Sequence, residues 1–266
     1  MRSLYNFLKH VHFHRAMILT MALREMQNRY AGTLAGFVWS VVNPLLMIAI
    51  YWFVFSVGFK VQPMGNVPFI VVFACGLIPW QMFNDTLMSN VGTIVGNPHL
   101  VKKMVFPTEI LAVVNLIASL ISHIIMLIIL FIIMTYYGIS FSFYNFQFLY
   151  YLFAVSVFAL GLSWFFSALN VFYRDVGQIL SVGLSMWFWI TPVVWAMDIV
   201  PKNYQFYLKL NPIYYIVEGY KSSFIYHEYF WSHYRVGGYF WAVALVSFAA
   251  GGFIFKKLKP EFADIL

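Results

Sequence analysis

Charged residues are scarce in this chain of 266 residues, and long stretches contain none. Asp, Glu, Lys and Arg together make up 9% of the sequence, whereas a soluble domain has about 25%. They are absent from five runs, at 34–59, 61–84, 110–173, 176–197 and 236–255. This scarcity excludes an ordinary soluble protein and indicates a chain that folds within a lipid bilayer.

The uncharged runs are long enough to predict six membrane-spanning helices. A hydrocarbon core about 30 Å thick needs about 20 apolar residues for each helical crossing. The run at 110–173 has 64 residues, which is enough for two crossings. We therefore expect an all-α integral membrane protein. Its predicted spans are 34–59, 69–91, 109–136, 147–172, 177–197 and 237–255.

Several kinds of chemistry are also absent. The only cysteine, Cys75, excludes an internal disulfide and a thiolate metal cluster. The sequence has no H-E-x-x-H helix, no G-x-S-x-G elbow and no G-x-x-x-x-G-K-[ST] phosphate loop. A proton-driven or sodium-driven carrier would have charges deep in its spans, which this sequence almost lacks. We expect no catalytic residue, no metal site and no cofactor bound by this chain. An integral membrane glycosyltransferase stays a remote alternative, because the carboxylates that it would need are scattered.

The positive net charge of +7 comes from 16 basic and 9 acidic residues. In a soluble protein such a charge can indicate nucleic acid, but in a membrane protein the positive-inside rule explains it. With six spans and a cytoplasmic N-terminus, eleven of the 16 Lys and Arg residues fall on the inner side. We therefore place both termini in the cytoplasm and expect no nucleic-acid partner.

Residues 13–31, before the first span, have the pattern of an amphipathic helix. Apolar residues recur at helical spacing on one face, namely Ala16, Leu19, Leu23, Met26 and Tyr30. Arg24 and Glu25 lie roughly opposite this face. Such a helix lies in the membrane interface rather than across it, and a plain cytosolic anchor is the alternative.

Aromatic side chains are abundant, at 21% of the sequence. Within the spans, their flat faces suit the C–H faces of sugar rings. We expect Trp39, Trp187 and Trp195 to face a polymer path, with lipid-facing aromatics as the alternative. The outer segment 198–235 is too aromatic for a free loop, and a belt at the headgroup level is the alternative there. We predict two short helices in it that dip back into the outer leaflet.

Six segments carry a resemblance to a known family. They are RYAGTLAGFVWSVVNPLLMIAIYWFVFS at 29–56, GLIPW at 76–80, VGNPHLVKKMVFPTEIL at 95–111, YRDVGQIL at 173–180, TPVVW at 191–195 and LNPIYYIVEGYKSS at 210–223. In this order they resemble the permease subunit of ABC-2 type polysaccharide exporters, which export lipid-linked O-antigen, capsular polysaccharide or teichoic acid. The resemblance implies the ABC-2 type exporter fold.

The resemblance also implies partners and cargo. Such permeases form homodimers, and each dimer docks on two copies of a separate cytoplasmic ATPase chain, which binds ATP and Mg. The cargo implied is an undecaprenyl-linked polysaccharide, moved across the bacterial inner membrane among the membrane lipids. O-antigen of lipopolysaccharide is our first expectation, and teichoic acid or capsular polysaccharide is the alternative.

Several site roles follow from the same resemblance. Residues 13–31 correspond to an interface helix, with Arg24, Glu25 and Arg29. The loop 96–107 corresponds to a coupling helix seated on the ATPase, with Leu100, Val101, Lys102 and Lys103. Residues 198–235 correspond to an outer gate, with Tyr215, Glu218 and Lys221.

Two of these assignments also have a physical basis in the sequence. Glu218 and Lys221 are three residues apart on one helix face and close enough to pair. The planar guanidinium of Arg29, where the interface helix meets the first span, suits the pyrophosphate of a lipid carrier. A topology determinant or an anchor for a lipid headgroup is the alternative role of Arg29.

Overall fold

A computed structural model of the chain describes residues 2–29, 32–61, 67–102 and 106–266. The end of the predicted interface helix, at 30–31, and Lys103 of the predicted coupling loop lie outside the described residues. In chain order, the α-helices are α1 (Arg2–Phe13), α2 (Arg15–Asn28), α3 (Trp39–Trp52), α4 (Phe69–Val91), α5 (Pro98–Val101), α6 (Ile110–Tyr136), α7 (Phe148–Phe172), α8 (Val176–Ile190), α9 (Lys202–Lys209), α10 (Pro212–Lys221), α11 (Tyr234–Leu258) and α12 (Phe262–Ile265).

Five helical stretches are long and apolar enough to cross a membrane. They are Gly36–Gly58, Phe69–Val91, Ile110–Tyr136, Phe143–Phe172 and Phe230–Ile265. The first contains α3, extended by a 3₁₀ turn before it and by a wider π-helical turn, Phe53–Gly58, after it. The described residues therefore confirm the expected all-α membrane fold.

The fifth predicted span, 177–197, corresponds to a shorter helix than expected. Helix α8 has 15 residues and is about 22 Å long, less than the hydrocarbon thickness of about 30 Å. It ends at Ile190 rather than near Met197. The ring of Pro192 disfavours a helical conformation at the preceding Thr191, which is extended with ψ of 134°.

Helix α4 lies at the centre of the fold. In its most apolar window 78% of the residues are buried, and it packs against α6, α7, α8 and α10. At its C-terminal end Asn90 connects three helices. Its Nδ2 donates to Ser163 Oγ on α7 at 3.0 Å, and its Oδ1 accepts from Asn115 Nδ2 on α6 at 2.9 Å. These bonds satisfy buried amides that would otherwise cost about 1–3 kcal/mol each.

Helix α2 packs along α6, and its buried face shares Met26 with the apolar face predicted from the spacing. Ile18, Ala22 and Met26 are buried, and the first two contact residues near the start of α6. The predicted apolar residues Leu19 and Leu23 are exposed. The periodicity identified a helix with apolar residues on more than one side. The face with Ala22 packs on α6, because the small side chain of Ala22 lets the two helices approach closely.

Two glycines bring α7 and α11 into close contact. A Cβ atom built on Gly161 would lie 2.5 Å from Phe248 N, and one built on Gly251 would overlap the carbonyl oxygen of Gly161. Small residues allow the backbones of membrane helices to approach in this way. The spacing between α7 and α11 therefore depends on the absence of side chains at these two positions.

A single added methyl group tests this packing. We expect Gly251→Ala to destabilise the protein by about 1–3 kcal/mol, because the new Cβ forces the two backbones apart. The measurement is the thermal unfolding midpoint of the detergent-solubilised chain. Gly252→Ala is the matched control, since its Cβ would lie 3.8 Å from Trp164, an ordinary contact. Equal midpoints for the two variants would contradict the assignment.

Candidate functional site

The segment 198–235 contains two short helices with different environments. Helix α9 has no buried residue, and its aromatic side chains Tyr204, Phe206 and Tyr207 are exposed. Helix α10 is largely buried and packs against α4, α7 and α11. Re-entry of these helices into the outer leaflet stays a prediction.

Lys221 is a buried cation at the C-terminal end of α10. Its side chain is 2% exposed, and its Nζ donates to Glu218 Oε1 at 2.9 Å. The ion pair expected from the sequence is therefore present. Nζ also donates to the carbonyl oxygen of Pro192 at 2.7 Å, just beyond the end of α8. This second bond, which the sequence did not indicate, joins α10 to α8.

Asn211 joins the other end of α10 to α8. Its Oδ1 accepts hydrogen bonds from Trp187 Nε1 at 2.7 Å and from Ile213 N at 3.0 Å, so that it also caps α10. Its Nδ2 donates to Thr191 Oγ1 at 2.8 Å. Helix α10 is thus hydrogen-bonded, at both of its ends, to the C-terminal end of α8 and the residues just beyond it.

Tyr215 lies inside the subunit rather than on a surface that a second copy can touch. It is buried between Tyr151 and Phe240, and its hydroxyl is 3.1 Å from that of Tyr150. Its burial leaves little of the side chain for a second copy to contact, and its role in an outer gate stays a prediction. The position follows from the packing of α10 on α7 and α11, which the local sequence does not encode.

A polar cavity of about 390 Å³ lies beside α10 and includes Glu218 and Lys221 in its wall. Asp198, Tyr214 and Tyr226 also line it. Burial, with the carboxylates of Glu218 and Asp198, raises the pKa of Tyr214 and brings the pKa of Tyr226 to about 12. Both phenols therefore remain neutral hydrogen-bonding groups at physiological pH.

The three tryptophans predicted to face a polymer path differ in their surroundings. Trp39 is half-buried at the start of α3. Trp187 turns inward, because its ring packs edge-on against Phe83 at 5.4 Å and its indole donates to Asn211. The side chain is half-buried, and its role in a polymer path stays a prediction. Trp195 is half-buried beyond the end of α8, and its Nε1 donates to the carbonyl oxygen of Trp189 at 3.1 Å.

The most exposed aromatic side chain of α8 is that of Trp189, at 56%. The helical spacing of Trp187 and Trp189 already places them on different faces, as two residues are about 200° apart around a helix. The sequence could not identify which face packs against the subunit. The exposed face of α8 also includes Ile179, Val182 and Met186.

Within its described residues, 96–102 and 106–107, the predicted coupling loop contains one helical turn, α5. Leu100 and Val101 are half-buried against an apolar cluster that includes Ile94 and Phe262. His99 and Lys102 are exposed. Among the described residues of the loop, the exposed side chains are therefore polar, and Leu100 and Val101 pack against the rest of the subunit.

The predicted interface residues line a cleft of about 470 Å³ between α2, α3, α4 and α6, except for Arg24, which is exposed. Glu25 and Arg29 lie in its wall, and Arg29 Nη2 donates to Ser89 Oγ at 2.9 Å. Asp85, on α4, lines the same cleft. The sequence left Asp85 without a role, although a carboxylate inside a predicted span was the signal for it.

Comparisons with known proteins agree on one family over most of the chain. The sequence profile of the family described as ABC-2 type transporter matches residues 17–225. An O-antigen export system permease protein RfbA of Klebsiella pneumoniae is 27% identical over 94% of this chain and 95% of its own length. RfbA of Myxococcus xanthus is 26% identical over 99% of this chain and 97% of its own length. The polysialic acid transport protein KpsM of Escherichia coli is 23% identical, over 77% of this chain.

Removal of the buried cation of Lys221 tests the hydrogen-bonded connection between α8 and α10. We expect Lys221→Met to destabilise the protein by about 2–4 kcal/mol, since Glu218, 26% exposed, loses its partner and the Pro192 carbonyl loses its donor. The measurement is hydrogen exchange of residues 212–226, which should rise, together with the thermal midpoint. Lys202→Met, on the exposed helix α9, is the control and should change neither. Unchanged hydrogen exchange in Lys221→Met would show that the bonds of Lys221 do not stabilise the connection between α8 and α10.

Proposed function

Because the chain belongs to the ABC-2 type transporter family, we propose that it is the permease subunit of an ATP-driven exporter of lipid-linked polysaccharide. The observation that carries the proposal is the similarity to O-antigen export permeases over 94–99% of the chain. O-antigen of lipopolysaccharide is the cargo that these relatives favour. Capsular polysaccharide, favoured by the similarity to KpsM, is the second candidate, and teichoic acid is a third.

The proposed permease performs no covalent chemistry and obtains its energy from a partner. Two copies of a cytoplasmic ATPase, which bind ATP and Mg, dock on the permease from the inner side. The exposed residues His99 and Lys102 on the α5 loop are the proposed contacts on this chain. Hydrolysis changes the distance between the two ATPases, and the α5 loop transmits this change to α4 and α6, which flank it along the chain.

Two copies of the chain are proposed to form the export path between them. The apolar stretch that contains α3 supports this arrangement, since only 6% of the residues in its most apolar window are buried within one subunit. The exposed face of α8, with Trp189, supplies an aromatic surface for sugar rings. Both termini lie on the cytoplasmic side of the inner membrane in this arrangement.

The hydrogen bonds between α8 and α10 give the proposed exporter a way to transmit a movement of α8, in the wall of the export path, to the outer gate. If α8 tilts when the ATPases close, α10 must follow, because Asn211 and Lys221 hold it at both ends. A change in equilibrium requires contacts that differ between the two states. The exposed aromatic helix α9, which is not held in this way, is the proposed part that opens and closes.

A deletion experiment tests the function directly. We expect loss of the gene to remove the polymer from the cell surface while lipid-linked polymer accumulates inside, and the wild-type chain to restore export. The linkage of the missing polymer then identifies the cargo, as lipid A carries O-antigen. If the deleted strain made no polymer at all, the glycosyltransferase alternative would replace the export proposal.

A charge reversal tests the proposed contact with the ATPase. We expect Lys102→Glu to weaken association with the ATPase at least about tenfold, because an opposed like charge costs several kcal/mol at an interface. The measurement is co-purification of the two chains and ATP turnover of the complex. Lys202→Glu, an identical change on α9, is the control and should leave the complex intact. A normal complex with Lys102→Glu would exclude this loop as a charged contact.

A further inference from the structure

The cleft between α2, α3, α4 and α6 has charges of both signs that do not pair with each other. Arg29, Glu25 and Asp85 all line it. Across the described ranges of the chain, none of the three takes part in an ion pair. Glu and Arg four residues apart on a helix ordinarily pair. Here Glu25 and Arg29 instead both form part of the cleft wall.

Neutral groups hold two of these charges in position. Arg29 Nη2 donates to two hydroxyls, Ser89 Oγ at 2.9 Å and Ser119 Oγ at 3.5 Å. Asp85 Oδ1 accepts from the amide of Gln81 at 2.9 Å. Hydroxyl and amide partners fix the orientation of a charged group without neutralising its charge. The guanidinium of Arg29 and the carboxylate of Glu25 line the cleft without an ion-pair contact among the described residues, so that both can bind a ligand.

The cleft lies where a membrane lipid can reach it. Ser89, which holds Arg29, is two residues from the end of α4 at Val91 and is therefore near one surface of the membrane. Leu45 and Leu46 on α3, which lie between the cleft residues Pro44 and Met47, are exposed and apolar. In a membrane such side chains contact acyl chains. The polar cleft is therefore bordered by surfaces suited to lipid tails.

We propose that this cleft binds a phospholipid headgroup that carries both a phosphate and a primary ammonium, as in phosphatidylethanolamine. The phosphate accepts charge-assisted hydrogen bonds from Arg29. The ammonium donates to the carboxylate of Glu25, one helical turn away. The carboxylate of Asp85 lies near the phosphate and disfavours the binding of a headgroup that carries a second negative charge.

The charge balance distinguishes this ligand from the pyrophosphate of a lipid carrier. Two carboxylates and one guanidinium give the cleft a net negative charge. A pyrophosphate adds at least two further negative charges, whereas a zwitterionic headgroup adds none. The proposal is independent of which polymer the chain exports, and soluble ethanolamine phosphate is the other source of the same chemistry.

Binding to the unmodified chain tests the proposal first. The detergent-solubilised protein is titrated calorimetrically with dioctanoyl lipids that have ethanolamine, choline or glycerol headgroups, and with soluble ethanolamine phosphate. We expect the ethanolamine lipid to bind at least about tenfold more tightly than each of the others. Equal affinity for the three lipids, or tighter binding of the anionic glycerol lipid, would overturn the proposal. Equal affinity for ethanolamine phosphate would overturn the assignment to a lipid.

Three variants then identify the groups responsible. We expect Arg29→Gln to weaken binding of the ethanolamine and glycerol lipids alike. Glu25→Gln should weaken only the ethanolamine lipid and abolish its tenfold advantage. Arg15→Gln, an exposed cation on α2 outside the cleft, is the control and should change neither affinity. A headgroup preference that persists in folded Glu25→Gln would exclude the carboxylate. The measurement on the unmodified chain remains decisive if a variant fails to fold.

Discussion

A polar group inside a hydrocarbon layer needs a partner within the protein, because no water is available to it. The helices meet this requirement for the backbone, and side-chain pairs meet it elsewhere. Asn90 connects α4 to α6 and α7, and Tyr220 and His123 lie 3.0 Å apart between α10 and α6. Each of these pairs joins different helices. The same requirement that makes the chain helical therefore also fixes how the helices are arranged.

The break at the end of α8 shows how this requirement creates a functional connection. Pro192 ends the helix early, and its carbonyl oxygen lies in the interior of the protein. Lys221 donates to this oxygen and is itself balanced by Glu218. A buried ion pair by itself is weak evidence for stability. Here it satisfies a backbone carbonyl as well, so that the end of α8 and helix α10 are held together.

The two polar sites have different walls and differ in character. The cleft with Arg29 adjoins the C-terminal half of α4, and its charges are oriented by neutral partners. The cavity beside α10 is lined by tyrosines and by a Glu218–Lys221 pair that is already formed. The cleft with Arg29 is suited to a charged ligand, whereas the cavity beside α10 belongs to the connection between α8 and α10.

Hydropathy alone determined that the chain is helical and spans a membrane, because apolar length and missing charge act residue by residue. Short-range spacing predicted the Glu218–Lys221 pair for the same reason. The tertiary structure decided which face of each helix is buried. It turned Trp187 inward and left Trp189 exposed, placed Tyr215 in the interior, and brought Asp85 beside Arg29. In a membrane helix nearly every face is apolar, so the sequence pattern that distinguishes inside from outside in soluble helices is absent, and only packing between distant segments makes the choice.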